Sequence, residues 1–177
     1  IAAHAGVAGG GDIILIPEIP FTYEAINRKI AEREQMGRLF TLVVVAEGAG
    51  QHLMQSDDAT DASGNKRYGD IGQYLKERIN AFFKQRRTEV NLKYIDPSYI
   101  VRSVPANAQD NVYCSRLAQS AVHAGMAGKT GMLVGRWHGS FIHLPLQLVT
   151  QGRRKVDPTQ ELWHSVLQCT GQPSMMR

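Results

Sequence analysis

Cysteine and long apolar runs are both scarce in this chain. Its 177 residues include only Cys114 and Cys169, which lie far apart and form no CxxC pair. Two such cysteines are typical of free thiols in a reducing compartment, so we expect a cytoplasmic protein without disulfides. No run reaches the ~18 apolar residues that a membrane-spanning helix needs. The sequence therefore predicts no membrane partner.

Metal-binding histidine patterns and strong charge are missing as well. The six histidines show no HxxxH or HExxH spacing, which argues against a metal site built from histidine. The net charge of +4 and the pI near 9.2 are compatible with a small anionic substrate. The basic clusters at 84–87 and 153–155 lack interleaved aromatic residues and a large charge excess, so we expect no nucleic-acid partner.

The sequence also shows no start methionine and no signal-peptide pattern. The first residue is Ile1 rather than Met, and no charged-then-apolar signal pattern follows it. The small-residue stretch 1–8 is typical of the end of a helix, but no helix start signal precedes it. We therefore expect a chain that was processed, truncated or cut from a longer protein.

What the chain does contain is an alternation of strands and helices. Short apolar runs are separated by amphipathic segments, which predicts an α/β fold with a doubly wound, mostly parallel sheet. The stretch 56–69 is polar and rich in Asp, Ser, Gly and Lys, which predicts a loop or insertion. The predicted strands are 12–18, 40–46, 90–95, 132–134 and 141–144. The predicted helices are 1–8, 22–37, 71–87, 158–167 and a long one that begins at about Asn107 or Asp110 and ends at Ala127.

Polar residues follow the first three predicted strands. They are Glu18, Glu47 and the turn 96–102, and ligands of open parallel sheets bind beyond the carboxyl ends of the strands. Glu47 precedes Gly48-Ala49-Gly50, where a ligand can approach the backbone, so it suits the hydroxyls of a sugar; capping a neighbouring helix is the alternative. Glu18 fits structural anchoring and a ligand role equally well.

The segment 93–102 combines the residue types that bind a sugar phosphate. Lys93 and Arg102 stand at its ends, and Tyr99 lies between them. Arginine presents a planar fork of donors to phosphate oxygens, and a tyrosine hydroxyl can serve one more oxygen. This run therefore indicates an anionic sugar as the ligand.

Four segments in register resemble the phosphofructokinase family, in the branch of plant and trypanosomatid ATP-dependent enzymes and relatives that use pyrophosphate. They cover most of the chain to about residue 146. The segments are Ala8-Gly9-Gly10-Gly11-Asp12 through Ile16-Pro17-Glu18, Val43-Val44-Val45-Ala46-Glu47-Gly48, Tyr94-Ile95-Asp96-Pro97-Ser98-Tyr99-Ile100-Val101-Arg102, and Asp110-Asn111-Val112-Tyr113-Cys114 through Gly128-Lys129-Thr130-Gly131.

The resemblance implies a phosphofructokinase-like fold and a glycolytic activity. The enzyme would phosphorylate fructose 6-phosphate to fructose 1,6-bisphosphate with magnesium, as a homo-oligomer, with ATP as the favoured donor and pyrophosphate as the alternative. By resemblance Glu47 binds sugar hydroxyls, and Tyr99 and Arg102 bind the same substrate, the arginine towards its phosphate. Lys93 stands where many members carry a phosphate-binding cation.

The resemblance also implies that this chain is the C-terminal part of such an enzyme. The segments expected for the donor site, the catalytic aspartate and the magnesium ligands do not occur in it, so we expect the chain alone to be inactive. The implied parts are an incomplete sugar-phosphate lobe (1–103), a segment returning to the donor lobe (104–150) and a tail with a helix (151–177).

In the isolated chain, the apolar side chains of the helix that ends at 127, such as Val112, Leu117 and Val122, would be exposed, because they would pack on the missing donor lobe.

Two functions of other classes are the alternatives. The first is a non-catalytic regulatory domain that binds a sugar phosphate, and the second, a distant one, is a basic nucleic-acid-binding module.

Overall fold

The chain divides into two units in the computed structural model. Unit 1 comprises Ile1–Asp96 and Lys155–Arg177, and unit 2 comprises Pro97–Arg154. The structure does not describe the side chain of Tyr99 or most of the predicted polar loop 56–69. The residues that the structure describes are 1–54, 60, 64, 67–152 and 154–177.

Two short parallel strands run through unit 1. β1 (Ile13–Leu15) pairs with β2 (Val43–Val45), with Ile13 opposite Val43 and Leu15 opposite Val45. Branched aliphatic residues occupy all six positions, which suits strands that are covered on both faces. The N–H of Ala46 donates to the carbonyl of Leu15 at 3.0 Å, so the ladder extends one bond beyond β2.

Helices pack on both faces of this strand pair. Alternate residues of β1 point to opposite faces, as the two-residue period of a strand requires. One face meets α2 (Tyr23–Gln35) and α3 (Ile71–Gln85), and the other meets α1 (Ala2–Ala8) and α7 (Glu161–Thr170). The first core includes Ile13, Leu15, Phe21, Ile26, Ile71, Leu75, Ile79 and Phe83, and the second includes Ala3, Ile14, Ile16, Trp163 and Val166.

The helices of unit 1 begin where the sequence places their caps. The hydroxyl of Thr22 accepts from the N–H of Ala25 at 3.3 Å and caps α2. The carboxylate of Asp70 accepts from the N–H of Gln73 at 2.9 Å and caps α3. Each side chain satisfies a backbone donor that the first helical turn leaves unpaired. The predictions of helices at 22–37 and 71–87 are therefore confirmed.

The predicted third strand at 90–95 is wrong. The described chain has no strand there; a turn at 86–87 follows α3, and residues 88–97 have no regular secondary structure. A strand needs a neighbour for its backbone groups, and in the described residues β1 and β2 pair only with each other. Leu92 packs against the first core, whereas Ile95 is 71% exposed. The run is apolar enough for a strand but has no partner.

The last helix also starts later than predicted. The sequence favours 158–167, because proline is common in a first helical turn. In the structure, the carboxylate of Asp157 accepts from the N–H of Thr159 at 2.9 Å and from its hydroxyl at 2.7 Å. Because Asp157 and the residues after it form this local turn, α7 begins only at Glu161. The same hydrogen bonds lower the pKa of Asp157.

Unit 2 consists of a long helix and an antiparallel hairpin with two short helices. The elements are α4 (Ser98–Ser103), α5 (Ala108–Met126), β3 (Met132–Trp137), β4 (Ser140–Pro145) and α6 (Leu146–Val149). Asn107 caps α5 by accepting from the N–H of Asp110 at 2.8 Å. The two strands are joined by His138 (φ 44°) and Gly139 (φ 86°), a two-residue turn of the kind that matches strand twist.

Helix α5 leaves most of its apolar side chains uncovered. Val112 is 60% exposed and Val122 is 64% exposed, as expected from the sequence, whereas Leu117 is half-buried. Ala124 is the buried residue of this helix. Within the described part of the chain, no helix combines the length and apolar character needed to cross a membrane.

Candidate functional site

Glu47 lies at the carboxyl end of β2, in the position that the sequence predicts. The strand brings the chain out of the core at Ala46, and the Glu47 side chain is exposed. Its main-chain carbonyl accepts from the side chain of Gln51 at 2.8 Å. Among the described residues, its carboxylate has no hydrogen-bond or ion-pair partner. The carboxylate is therefore available to a ligand that donates hydrogen bonds.

The turn after Glu47 is held by Gln51, a residue that the sequence analysis missed. Besides the Glu47 carbonyl, the Gln51 amide donates to the carbonyl of Gly69 at 3.2 Å and accepts from its N–H at 2.9 Å. Gly50 has φ 64°, and a Cβ there would lie 2.6 Å from the ring of Phe21. Close packing and a left-handed backbone thus require glycine at this position.

Lys93 lies on the coil after α3 and is exposed. The neighbouring Tyr94 attaches this coil to unit 1: its hydroxyl donates to Asp70 at 2.9 Å, and a Cβ on Gly72 would meet its ring at 2.2 Å. Tyr94 is 39% exposed overall, but partial burial of its phenol, reinforced by the hydrogen bond to Asp70, raises the pKa of Tyr94 to about 12. The place of Tyr94 between Lys93 and Tyr99 was visible in the sequence, but its hydrogen bond to Asp70, 24 positions away, was not.

Arg102 lies in the last turn of α4 and is exposed, with no ion-pair partner among the described residues. Tyr99 belongs to the same short helix, three residues earlier, and its side chain lies outside the described part. The segment around Pro97, predicted as a turn, therefore continues into a short helix of unit 2 that contains Arg102.

Glu18 has an anchoring role in the structure. Its Oε1 accepts from the N–H of Val156 at 3.0 Å and so ties the C-terminal segment to the end of β1. Its Oε2 is buried and has no hydrogen-bond partner in the described residues. Of the four predicted ligand residues, Glu47 and Lys93 belong to unit 1, and Tyr99 and Arg102 belong to unit 2.

A magnesium site does not fit the described residues. No group of three or more His, Cys, Asp or Glu side chains in the described ranges comes close enough to hold a metal ion. Magnesium prefers carboxylate and phosphate oxygens in octahedral geometry, and an isolated Glu47 does not supply such a set.

Comparison with known proteins gives the family of this chain. A family model described as Phosphofructokinase matches residues 1–125. The chain belongs to the phosphofructokinase family. This confirms the resemblance seen in the four sequence segments.

Curated phosphofructokinases are similar to nearly the whole chain. It is 46% identical to an ATP-dependent 6-phosphofructokinase of Amycolatopsis methanolica over 98% of its length, which is 40% of that relative. It is 43% identical to ATP-dependent 6-phosphofructokinase 7 of Arabidopsis thaliana, covering 99% of the chain and 38% of the relative. For the ATP-dependent enzyme of Trypanosoma brucei brucei the identity is 38%, with 96% and 36% covered. The chain thus spans about two fifths of these phosphofructokinases.

A solved structure supports the fold. A pyrophosphate-dependent phosphofructokinase from Marinobacter aquaeolei superposes with a TM-score of 0.64 at 19% identity, over 94% of this chain and 43% of that one. At this identity the likeness concerns the fold alone. Together with the helices on both faces of the parallel pair, it confirms the predicted phosphofructokinase-like α/β class.

Proposed function

We propose that this chain is the C-terminal part of a 6-phosphofructokinase and supplies its sugar-phosphate site. The whole enzyme transfers the terminal phosphoryl group of ATP to the 1-hydroxyl of fructose 6-phosphate, a step of glycolysis. Family membership and the names of the relatives support this reaction and ATP as the donor. Pyrophosphate is the alternative donor.

The observation that carries the proposal is the Glu47 carboxylate. It is exposed at the carboxyl end of a parallel strand, on a turn held by Gln51, with no partner among the described residues. A carboxylate accepts hydrogen bonds from sugar hydroxyls but repels a phosphate. We therefore assign Glu47 to the hydroxyl end of the substrate.

The phosphate end is assigned to the cations and the tyrosine of the segment 93–102. Arg102 would bind the phosphate through its fork of donors, Tyr99 would donate its hydroxyl, and Lys93 would add a point charge. Two of these side chains, Lys93 and Arg102, are exposed. Positioning of this kind supplies much of the catalysis in phosphoryl transfer.

The chemical step itself is assigned to parts that this sequence does not contain. We propose that the catalytic aspartate, the donor site and the magnesium ligands lie upstream in the parent, and that the chain alone is inactive. Magnesium would there neutralise charge on the donor phosphates. The lobes 1–103, 104–150 and 151–177, a cytoplasmic location and a homo-oligomeric parent belong to the same proposal.

A non-catalytic binding domain is the second candidate. It rests on the same exposed Glu47 carboxylate and exposed cations, which would bind a sugar phosphate without catalysing a reaction. It predicts fructose 6-phosphate binding without turnover in the natural full-length protein. Our proposal predicts turnover there.

The test is steady-state kinetics on the full-length parent with Arg102 replaced. Arg102→Ala should raise KM for fructose 6-phosphate by roughly 10- to 100-fold, since hydrogen bonds to charged groups contribute about 1.5–3 kcal/mol. Arg102→Lys should recover part of this, and Arg154→Ala, which removes another exposed arginine of unit 2, should change little. An unchanged KM in Arg102→Ala would remove Arg102 from the site.

A further inference from the structure

Tyr68 lies near the carboxyl ends of both strands of the parallel pair, beside the turn that carries Glu47. A Cβ on Gly48, the residue after Glu47, would lie 3.7 Å from Cζ of Tyr68 and 3.8 Å from its hydroxyl oxygen. The same Cβ would lie 3.3 Å from Pro17, just beyond the end of β1. The hydroxyl end of the Tyr68 ring therefore covers the backbone of Gly48, at the edge where ligands of parallel sheets bind.

Hydrogen bonds attach the segment that carries Tyr68 to this turn. The amide of Gln51 accepts from the N–H of Gly69 at 2.9 Å and donates to the Gly69 carbonyl at 3.2 Å. The same amide donates to the carbonyl of Glu47 at 2.8 Å. Gly69 also packs closely on Met54, because a Cβ there would lie 3.2 Å from the Met54 methyl group. The backbone beside Tyr68 is thus fixed relative to Glu47 before a ligand binds.

The hydroxyl of Tyr68 has no hydrogen-bond partner among the described residues. The side chain is half-buried, so the ring is held by the protein while the hydroxyl is left for another group. Tyr94, by contrast, uses its hydroxyl within the fold, since it donates to Asp70 at 2.9 Å. A phenol hydroxyl both donates and accepts hydrogen bonds, so the Tyr68 hydroxyl can serve either kind of ligand atom.

A carboxylate alone satisfies a sugar hydroxyl only in part. An ionised carboxylate is purely an acceptor, so Glu47 takes the proton of a sugar hydroxyl and leaves the lone pairs of the sugar oxygens without a donor. A phenol beside it supplies that donor. A lysine or arginine in this place would form an ion pair with Glu47, whereas a phenol leaves the carboxylate available to the sugar.

We propose that Tyr68 is a further substrate-binding residue, whose hydroxyl donates a hydrogen bond to a sugar hydroxyl next to Glu47. The inference rests on the proposed function, because it concerns the same sugar-phosphate site of the whole enzyme. Glu47 and Tyr68 bind the hydroxyl end of the sugar as an acceptor and a donor. Gln51 is a positioning residue that holds the two segments together.

Steady-state kinetics of the full-length parent with Tyr68→Phe test this contact. The substitution removes one oxygen that the described protein does not pair, so the urea midpoint of unfolding should stay unchanged. KM for fructose 6-phosphate should rise about three- to ten-fold at an unchanged kcat, because a hydrogen bond made equally in the ground state and the transition state is lost. An unchanged KM would overturn the proposal.

Tyr74→Phe is the matched control for the loss of a phenol hydroxyl. Tyr74 is half-buried in the same unit, on α3, and its hydroxyl likewise has no hydrogen-bond partner among the described residues. KM for fructose 6-phosphate should therefore be the same in Tyr74→Phe and in the natural parent. An equal rise of KM in Tyr68→Phe and Tyr74→Phe would show that the effect does not come from a contact with the sugar.

Gln51→Leu tests the positioning separately. It removes all three hydrogen bonds of the amide, so KM should rise at least as much as in Tyr68→Phe, while Gln85→Leu at an exposed position of α3 should leave KM unchanged. In the double variant of Gln51 and Tyr68, KM should rise by less than the product of the single effects, because the hydroxyl is already displaced. A rise equal to that product would contradict the positioning role of Gln51.

The outcomes separate this inference from the proposed function. If the natural parent phosphorylates fructose 6-phosphate and Tyr68→Phe has the natural KM, the reaction stands and Tyr68 is not a substrate residue. A parent that binds fructose 6-phosphate without turnover refutes the reaction alone, and the same comparison is then made on the dissociation constant. A parent that neither binds nor phosphorylates it refutes both.

Discussion

The side chain of Gln172 forms both hydrogen bonds of a sheet with the backbone of Ile14. Its Nε2 donates to the Ile14 carbonyl at 3.0 Å, and its Oε1 accepts from the Ile14 N–H at 2.8 Å. Both residues are buried. A side-chain amide from the C-terminal segment thus pairs with the backbone N–H and carbonyl of Ile14, the middle residue of β1. These two groups are not hydrogen-bonded to β2.

Replacing this amide should destabilise unit 1. Gln172→Leu leaves a buried N–H and a buried carbonyl of Ile14 without partners, so we expect a loss of about 2–4 kcal/mol in the free energy of unfolding. Urea unfolding of the chain measures it. Gln168→Leu is the matched control, because Gln168 is exposed on α7. Equal stability of the two variants would show that the amide contributes nothing.

Gly50→Ala should disturb the turn that carries Glu47. The new Cβ would lie 2.6 Å from Phe21 and 2.8 Å from Ile71 at a residue with φ 64°. Overpacking and a left-handed backbone together should cost about 2 kcal/mol or more. Gly37→Ala separates the two effects, since φ is 77° there and a Cβ would meet nothing within 4 Å. If both substitutions cost the same, the close packing at Gly50 is not significant.

The pKa of Tyr94 predicts an alkaline dependence of stability. The folded state raises this pKa from 10.0 to about 12, chiefly by burial and then by the hydrogen bond to Asp70. The neutral phenol is thus favoured by folding, so its contribution is fully present below about pH 10 and is lost as the pH rises through about 12.

Urea unfolding at several pH values across this window tests the prediction. The natural chain should lose stability more steeply than Tyr94→Phe, which has no phenol to ionise at this position. Tyr113→Phe, a substitution in unit 2, should keep the steep slope. If stability falls with pH as steeply in Tyr94→Phe as in the natural chain, the raised pKa of Tyr94 is ruled out.

Glu47→Gln should weaken substrate binding without changing the stability of the fold. The carboxylate is exposed and has no partner among the described residues, so unfolding should change by less than about 0.5 kcal/mol. In the full-length parent, KM for fructose 6-phosphate should rise about ten-fold, because charged acceptors form the stronger hydrogen bonds. Glu89→Gln, at another exposed glutamate, should leave KM unchanged. A large loss of stability in Glu47→Gln would instead indicate a structural role.

Local signals in the sequence were sufficient for most helices of this fold. Thr22 and Asn107 are short polar residues that cap the helix following each of them, and Gly128 takes a left-handed φ of 72° after α5. These features depend on residues within one or two helical turns. They can therefore be read without knowing the tertiary structure.

Features that depend on distant residues could not be read in this way. Residues 90–95 have strand composition, but a strand requires a neighbour that the local pattern does not reveal. The bond from Gln172 to Ile14 spans 158 positions, and no periodicity indicates it. The Glu18 side chain was left undecided for the same reason, because its partner Val156 lies near the other end of the chain.

The central claim is tested most directly by a coupled assay of the full-length parent beside the 177-residue chain. Both would be given fructose 6-phosphate and magnesium, with ATP or pyrophosphate in parallel. The account predicts that the parent forms fructose 1,6-bisphosphate with ATP and that the chain alone forms none. A folded parent that turns over with neither donor, or turnover by the chain alone, would contradict it.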